Sequence, residues 1–365
     1  MKSFSAFSSV PARLVLGAAA AFSLLACDPD PDVEPAEPIV ETKTVFVVNE
    51  GSFLQTNAEI SSFSKATNAL VNRSLFNAAN NRPLGDVAQN MAVRDSTGYI
   101  VVNNSNKLEV VNLRTFRSLA TITGLKLPRY FAAASSEKGY VTETISYAAA
   151  AGQVSVINLK TNTVSKTIAV GKQPERLLVV GNRLYVTNNG GSTVTVINTE
   201  TDAVEGTITV GDAPNSLVLD RNNRVWVLSS GRVVYDASYN IDYTLTSKGS
   251  LSSFTPGSLT ASTRIFSTNQ SQPGRLSING SRDQLYYTFQ GGVYRLSIND
   301  NDLPATPVFR RRNIYGLGID PQDNTIYTGL APSFSTAGKV VRYRNTGAAI
   351  DSFNVNIGPN GFVFY

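Results

Sequence analysis

The side chains that most often perform catalysis are scarce in this chain. Its 365 residues include no histidine and a single cysteine, Cys27. A Ser-His-Asp or Cys-His mechanism and a His-ligated zinc or copper site are therefore excluded, because each of them needs an imidazole. Carboxylate chemistry remains: Asp86 and Glu175 align near the same end of the repeated units described below, and a pair of carboxylates can cleave a glycosidic bond.

The acidic residues are not spaced as a calcium loop requires. The nearest candidates are Asp300 with Asp302, and the segment 320–324. Both fall where turns are expected, and Asp and Asn are common turn residues. We therefore predict no metal site, no bound cofactor and no catalytic residue.

A more informative set of side chains recurs at two adjacent positions near the start of a repeated strand. Aligning the repeats places these residues in one ring at the mouth of a central channel, and they are Gln89, Arg129, Tyr130, Glu175, Arg176, Asn215, Arg275, Tyr315 and Asn360. Arginine, tyrosine, asparagine and glutamine supply planar donors, amide hydrogen bonds and stacking faces. Such a ring suits a polar ligand with amide or phosphate groups. The alternative is a hydrated channel mouth that binds no ligand.

Short repeated strands must position this ring. The unit that begins at Pro174 contains segments rich in Val, Ile, Thr and Tyr, separated by polar turns, and the next unit begins 40 residues later at Pro214. The first strand of the unit recurs at Val87, Pro128, Pro174, Pro214, Pro273, Asn313 and Pro359. A period of about 40–45 residues with four strands is typical of a β-propeller.

The two ends of the chain predict how the ring closes. The seventh copy, from Pro359, supplies one strand, and its three missing strands are found near the N-terminus at 45–49, 59–64 and 70–75. Together they would close the ring and leave no exposed sheet edge. We predict an all-β fold over residues 44–365: a seven-bladed β-propeller with four antiparallel strands per blade.

Two sets of aromatic residues are predicted to have different roles. The second strand of each unit carries one aligned aromatic residue, which we expect to pack between blades, and these are Phe46, Tyr99, Tyr140, Tyr185, Trp226, Tyr286 and Tyr327. Insertions between the second and third strands, the longest over 231–255, carry Phe53, Tyr147, Tyr239 and Phe334. We expect these four to lie over the ligand, since insertions on one face usually mark the binding face.

The first 43 residues are predicted to be a targeting signal followed by a tether. Residues 1–26 have a basic start and an apolar run of 13 residues, as in a signal peptide. The segment Leu24-Leu25-Ala26-Cys27 at their end looks like a bacterial lipobox, with Cys27 as the first residue after the signal. A plain secretion signal with an incidental cysteine is the alternative. Residues 27–43 alternate proline with acid and should be an extended tether. An acidic stretch after a lipidated cysteine resembles the surface-export signal of Bacteroidota lipoproteins, which implies the outer membrane and an outward face.

Several segments carry a resemblance to one family. Residues 184–188, 194–199 and 207–211 resemble the YVTN repeat of YncE-type propellers. The segments 47–51, 84–89 and 101–107, with the lipobox, resemble YncE-like surface lipoproteins of Bacteroidota. One branch, the BtuG-type proteins, captures cobalamin and passes it to a TonB-dependent transporter. The resemblance therefore implies a non-catalytic ligand-capture lipoprotein, with a corrinoid as the first ligand to test.

Two other function classes remain open. A propeller rim can serve as a scaffold for a protein or glycan partner, and a lyase or hydrolase that works without histidine is the third class. The net charge of +5, from 32 basic and 27 acidic residues, does not call for a nucleic-acid partner. We expect a monomer.

Overall fold

The computed structural model describes residues 43–365, which form seven four-stranded antiparallel sheets. The predicted signal peptide, Cys27 and the tether lie outside the described residues, apart from residue 43. The central strands, such as Arg183–Asn188 and Thr193–Asn198, are rich in Val, Ile, Thr and Tyr, and most of their residues are buried. Such residues favour strands because their branched or aromatic side chains fit a pleated surface that is covered on both faces.

Residues 43–365 contain 28 strands and one short helix. In chain order the strands are β1 (Thr44–Asn49), β2 (Glu59–Ser64), β3 (Ala69–Asn72), β4 (Ala88–Arg94), β5 (Thr97–Val102), β6 (Lys107–Asn112), β7 (Ser118–Ile122), β8 (Pro128–Ala133), β9 (Lys138–Glu143), β10 (Gly152–Asn158), β11 (Thr163–Val170), β12 (Pro174–Val180), β13 (Arg183–Asn188), β14 (Thr193–Asn198), β15 (Ala203–Thr209), β16 (Pro214–Leu219), β17 (Val225–Ser229), β18 (Ser250–Phe254), β19 (Ser262–Ile265), β20 (Gly274–Ile278), β21 (Gln284–Phe289), β22 (Gly292–Ser297), β23 (Phe309–Arg310), β24 (Ile314–Ile319), β25 (Ile326–Leu330), β26 (Lys339–Tyr343), β27 (Ala349–Asn354) and β28 (Pro359–Phe364). The helix, α1, spans Leu75–Asn80.

The blades follow chain order, and the chain ends close the ring as predicted. Six sheets are β4–β7, β8–β11, β12–β15, β16–β19, β20–β23 and β24–β27, which we number blades 1 to 6. Blade 7 has the order β28-β1-β2-β3, so the last strand pairs with the first. Thr44 and Tyr365 add two backbone hydrogen bonds of 2.8 and 2.9 Å to this junction. The first strand of each blade contacts the first strand of the next, and β28 contacts both β24 and β4, so these strands surround the central channel.

The hydrophobic core is divided among the seven contacts between neighbouring blades. Each contact has its own apolar cluster, and each cluster contains one of the aligned aromatic residues predicted to pack there. All seven of these residues are at most 6% exposed. The indole of Trp226 is hydrogen bonded within this packing, since its Nε1 donates to Asp220 Oδ2 at 2.8 Å. The predicted packing between blades is confirmed.

Two predicted segment boundaries are wrong. The insertion expected over 231–255 ends earlier, because β18 is the third strand of blade 4 and Phe254 packs on Tyr185 with ring centroids 5.2 Å apart. The sequence Ser-Leu-Ser-Ser-Phe has little strand propensity, and pairing on both sides overrides it. The strand expected to reach residue 75 ends at Asn72, and α1 follows.

Helix α1 is held by a buried carboxylate. Glu59 accepts backbone hydrogen bonds from Phe76 and Asn77 at 3.2 and 2.7 Å. The helix is six residues long, and residues 43–365 contain no helix with the length and apolar character that a membrane span requires.

A second buried carboxylate, that of Glu109, should make the stability of the fold depend on pH in acid. Arg82 and Lys107 approach its two oxygens to 2.6 and 2.9 Å. Burial raises the pKa of Glu109. Hydrogen bonds from Arg82, Ser118 and Lys107 together lower it by more than burial raises it, so the pKa lies below its ordinary value. The ionised group therefore stabilises the folded state above the unfolded pKa of about 4.3, and this contribution is lost as the pH falls through the folded pKa. We expect Glu109→Gln to lower the free energy of unfolding by about 2 kcal/mol at pH 7. The difference in free energy of unfolding between wild type and Glu109→Gln should become smaller below about pH 4.

Urea unfolding at several pH values measures the effect of Glu109→Gln, and Glu143 provides the matched control. It is also fully buried, but burial outweighs its hydrogen bonds from Ser155 and the Lys126 backbone, so its pKa is raised. A raised carboxyl pKa favours the folded state at low pH, and this contribution is lost as the pH rises through the folded pKa. The difference between wild type and Glu143→Gln should therefore change with pH in the opposite direction. Parallel changes in the two variants would contradict this assignment.

Candidate functional site

A β-bulge near the start of each innermost strand builds the site. In β12, Pro174 pairs with Asn188, but the next pair is Leu177 with Val186, so Glu175 and Arg176 lie in the bulge. The same irregularity occurs in all seven blades, and its residues include all nine members of the predicted ring: Gln89, Arg129, Tyr130, Glu175, Arg176, Asn215, Arg275, Tyr315 and Asn360. Bulges redirect side chains and are common beside functional sites.

These bulges surround two cavities along the channel. The larger, of about 520 Å³, is lined by eight of the nine ring residues, all except Asn360. The smaller, of about 310 Å³, is lined by Asn360 and lies against four residues that also line the larger cavity, namely Gln89, Tyr130, Arg176 and Arg275. These four side chains therefore mark the junction between the two cavities.

Three of the four predicted rim aromatics line the larger cavity. They are Phe53, Tyr147 and Phe334, each from a different loop between a second and a third strand. Phe334 packs edge-on against Tyr315 with centroids 5.1 Å apart, which joins the rim to the ring. Tyr239 lines neither of these cavities; it lies in the tight turn of the 230–249 loop and is 88% exposed.

Arg129 organises one side of the larger cavity. Its guanidinium donates two hydrogen bonds of 2.8 Å to Glu175 and a third of 2.7 Å to Gln89 Oε1. Gln89 Nε2 in turn donates to the hydroxyl of Tyr130 at 3.2 Å. Burial lowers the pKa of Arg129, but the Glu175 carboxylate raises it by more, so the guanidinium stays charged. This bidentate pair fixes four ring side chains in one geometry.

Glu50 organises the opposite side and was missed by the sequence analysis. Its carboxylate accepts hydrogen bonds from Tyr315 and from Asn360 Nδ2, each at 2.6 Å. Burial raises the pKa of Tyr315 and the Glu50 charge raises it further, so the phenol stays protonated as a donor. Glu50 directly follows β1, at the position that holds Asn103 after β5. Aligning the residue that follows each second strand would have found it.

Two ring arginines stack on ring tyrosines. The guanidinium of Arg176 lies 4.5 Å from the ring centre of Tyr130, and that of Arg275 lies 4.8 Å from the ring centre of Tyr315. Each pair joins two neighbouring blades, blades 2 and 3 for Arg176 and blades 5 and 6 for Arg275, so each tyrosine supports an arginine from the adjacent blade. Such stacking contributes about 0.5–2 kcal/mol per pair.

The carboxylate pair considered for glycoside cleavage is not assembled in a cavity. Asp86 is 6% exposed and lines neither cavity described above. Its Oδ2 accepts hydrogen bonds from the Leu54 backbone at 2.9 Å and from Asn104 Nδ2 at 2.5 Å, so it fixes two loops. Glu175 does line the larger cavity, but both of its oxygens bind Arg129.

Comparison with known proteins identifies the family of this chain but assigns it no activity. A model described as a domain of unknown function, DUF5074, matches residues 43–364. No curated protein matches the chain.

Solved structures share the fold at low sequence identity. A quinoprotein alcohol dehydrogenase-like protein from Bacteroides thetaiotaomicron VPI-5482 is 12% identical, with a TM-score of 0.67 over 88% of this chain and 78% of that one. A functionally unknown protein from Desulfotomaculum acetoxidans DSM 771 is also 12% identical, with a TM-score of 0.65 over 88% and 98% of the two chains. A protein from Bacteroides uniformis ATCC 8492, provisionally described as a 6-phosphogluconolactonase, is 13% identical, with a TM-score of 0.63 over 89% and 100%. Likeness at this level establishes the propeller fold alone.

Proposed function

The chain belongs to the DUF5074 family, and we propose that it captures a small polar ligand in the larger cavity without transforming it. The observation that carries this proposal is the set of bulges, six of which bring guanidinium, amide, phenol and carboxylate groups to one cavity. A concave site with a few convergent polar groups and an aromatic rim is the usual form of a small-molecule site.

The state of the acidic and phenolic groups supports binding rather than catalysis. Both carboxylates that line the cavity already accept hydrogen bonds, Glu175 from Arg129 and Glu50 from Tyr315. The raised pKa of Tyr315 keeps its phenol protonated, so it is a poor proton acceptor. A general base must be able to accept a proton from its substrate.

A corrinoid is the first ligand we infer, because the chain resembles the BtuG branch of YncE-like propellers. A corrinoid such as cobalamin carries amide side chains around a flat ring and a phosphodiester. Asn215 and Gln89 offer amide partners, and Phe53 and Phe334 offer exposed aromatic faces at the rim. The cavity therefore presents groups of the kinds that such a ligand needs.

The proposed place of action is the outer-membrane surface. The lipobox-like sequence before Cys27 and the acidic segment after it motivate a lipid anchor and an outward orientation. In that position the protein would act as a monomer and pass its ligand to a TonB-dependent transporter.

Gel filtration with cyanocobalamin tests the ligand. We expect the purified protein to elute with visible corrinoid absorbance at one ligand per chain, and calorimetry to give the same stoichiometry. Absence of binding at micromolar protein would reject the corrinoid assignment. Isolation of a membrane complex that contains no small molecule would favour the role of a protein or glycan scaffold instead.

A further inference from the structure

Arg176 and Arg275 are the two cavity arginines without an anionic partner. The guanidinium of Arg129 donates its hydrogen bonds to Glu175 and Gln89. By contrast, neither Arg176 nor Arg275 forms an ion pair or a side-chain hydrogen bond within residues 43–365. The cavity lining holds these three arginines and two glutamates, Glu50 and Glu175, so its net charge is +1. Charged donors that lack a partner favour an anion.

Their orientation is fixed before any ligand binds. Each guanidinium lies over a tyrosine ring, and each tyrosine hydroxyl is hydrogen bonded, Tyr130 to Gln89 and Tyr315 to Glu50. Stacking occupies a face of the guanidinium and leaves its in-plane N–H donors for a ligand. A pre-oriented donor loses less conformational entropy on binding than a free side chain does.

The backbone of Arg275 departs from the pattern of the other blades. In six blades a residue just before the innermost strand has a left-handed backbone conformation, as Gln173 does with φ +50° and Ala213 with φ +55°. In blade 5 the left-handed residue is Arg275 itself, with φ +60°, inside the bulge. Such a conformation costs a non-glycine residue about 1 kcal/mol or more. The residue with this strained backbone, Arg275, is also one whose side chain lines both cavities.

The two arginines belong to neighbouring parts of the ring. Arg176 comes from β12 and Arg275 from β20, and β16, which contacts both strands, lies between them and contributes Asn215 and Ser216 to the cavity lining. We propose that Arg176 and Arg275 bind the phosphate group of the captured ligand at the junction of the two cavities. This inference rests on the proposed function, since it assumes that the ligand occupies the larger cavity.

A phosphate group fits this arrangement better than a carboxylate does. A guanidinium fork binds either anion through two parallel N–H···O bonds. A carboxylate has two oxygens on one planar carbon, whereas a phosphorus atom holds its terminal oxygens, three in a monoester and two in a diester, at tetrahedral angles. Two guanidiniums from different blades can therefore bind different oxygens of one phosphate. The ligand class is thus a phosphate ester or phosphodiester.

Calorimetric titration with inorganic phosphate tests this inference, with acetate as the carboxylate probe. We expect saturable phosphate binding by the wild-type protein and about tenfold weaker binding by Arg176→Gln and by Arg275→Gln, because each removes a charged donor. Arg176→Lys should lose most of the affinity as well, because it keeps the charge without the planar fork. The matched control is Arg114→Gln, an exposed arginine in the turn between β6 and β7, which should bind phosphate as wild type does.

The outcomes separate this inference from the proposed function. It is overturned if wild-type protein shows no saturable phosphate binding, if acetate binds as tightly, or if folded Arg176→Gln and Arg275→Gln proteins bind phosphate unchanged. Thermal midpoints equal to that of wild type establish that the variants are folded. If cyanocobalamin binds both variants as it binds wild type, capture stands and the phosphate site is wrong. If phosphate binding needs both arginines but cyanocobalamin does not bind, the phosphate site stands and the corrinoid is the wrong ligand.

Discussion

Deletion of residues 359–365 is expected to abolish the cooperative unfolding transition. The deletion removes β28, which pairs with β1 and contacts both β24 and β4. It also removes Phe362 and Phe364, whose ring centres lie 5.7 and 5.3 Å from that of Tyr327. An open ring exposes the edge of β1 and the apolar clusters on either side of blade 7, so aggregation should accompany the loss of structure.

Circular dichroism during heating and urea titration measures this effect. A truncated protein that unfolds cooperatively near the wild-type midpoint would contradict the role assigned to ring closure. Gly329→Ala gives a milder test at the same junction, since its added Cβ would lie 2.1 Å from the carbonyl oxygen of Pro359. We expect it to lower the free energy of unfolding by about 1–3 kcal/mol. In the matched control Gly191→Ala, the nearest atom is 3.9 Å away, and stability should hardly change.

Arg129→Met is expected to weaken both stability and ligand capture. It leaves the Glu175 carboxylate, whose side chain is 17% exposed, without its cationic partner. Removing one member of a buried pair costs about 3–5 kcal/mol, and partial exposure of this pair should reduce the cost to about 2 kcal/mol. Ligand affinity should fall about tenfold, because Gln89 and Glu175 lose the charged hydrogen bonds that hold them in place.

The double variant Arg129→Met/Glu175→Met separates the two effects. Replacing both members of a buried ion pair by apolar residues is often neutral, so most of the lost stability should return. Ligand affinity should not return, because the polar geometry of the cavity is still missing. Urea unfolding and calorimetry on the same preparations give both quantities. A double variant as unstable as Arg129→Met would show that an unpaired Glu175 charge is not the cause.

The features that could be predicted from sequence are those tied to strand register. Pro174 and Pro214 mark equivalent strand starts, and the residues after them are placed by counting, which is why all nine ring residues lie in the equivalent bulge of their blades. The aligned aromatics, such as Tyr185, are predictable for the same reason, because a strand's period of two decides which face is buried.

The features that escaped prediction depend on loops and on contacts distant in sequence. Glu50 binds Tyr315 and Asn360 across separations of 265 and 310 residues, which no local pattern reveals. Asp86 aligns near the channel mouth, yet its carboxylate turns to Leu54 and Asn104. The placement of Tyr239 depends on the folding of a loop that no strand register controls.

The most direct test of capture in the ring cavity is one calorimetric titration with cyanocobalamin, run on wild-type protein and on the folded Arg176→Gln/Arg275→Gln double variant. We predict one tight site per wild-type chain and no measurable binding by the double variant. Equal binding by the two proteins would contradict the cavity assignment. No binding by wild type would contradict corrinoid capture itself.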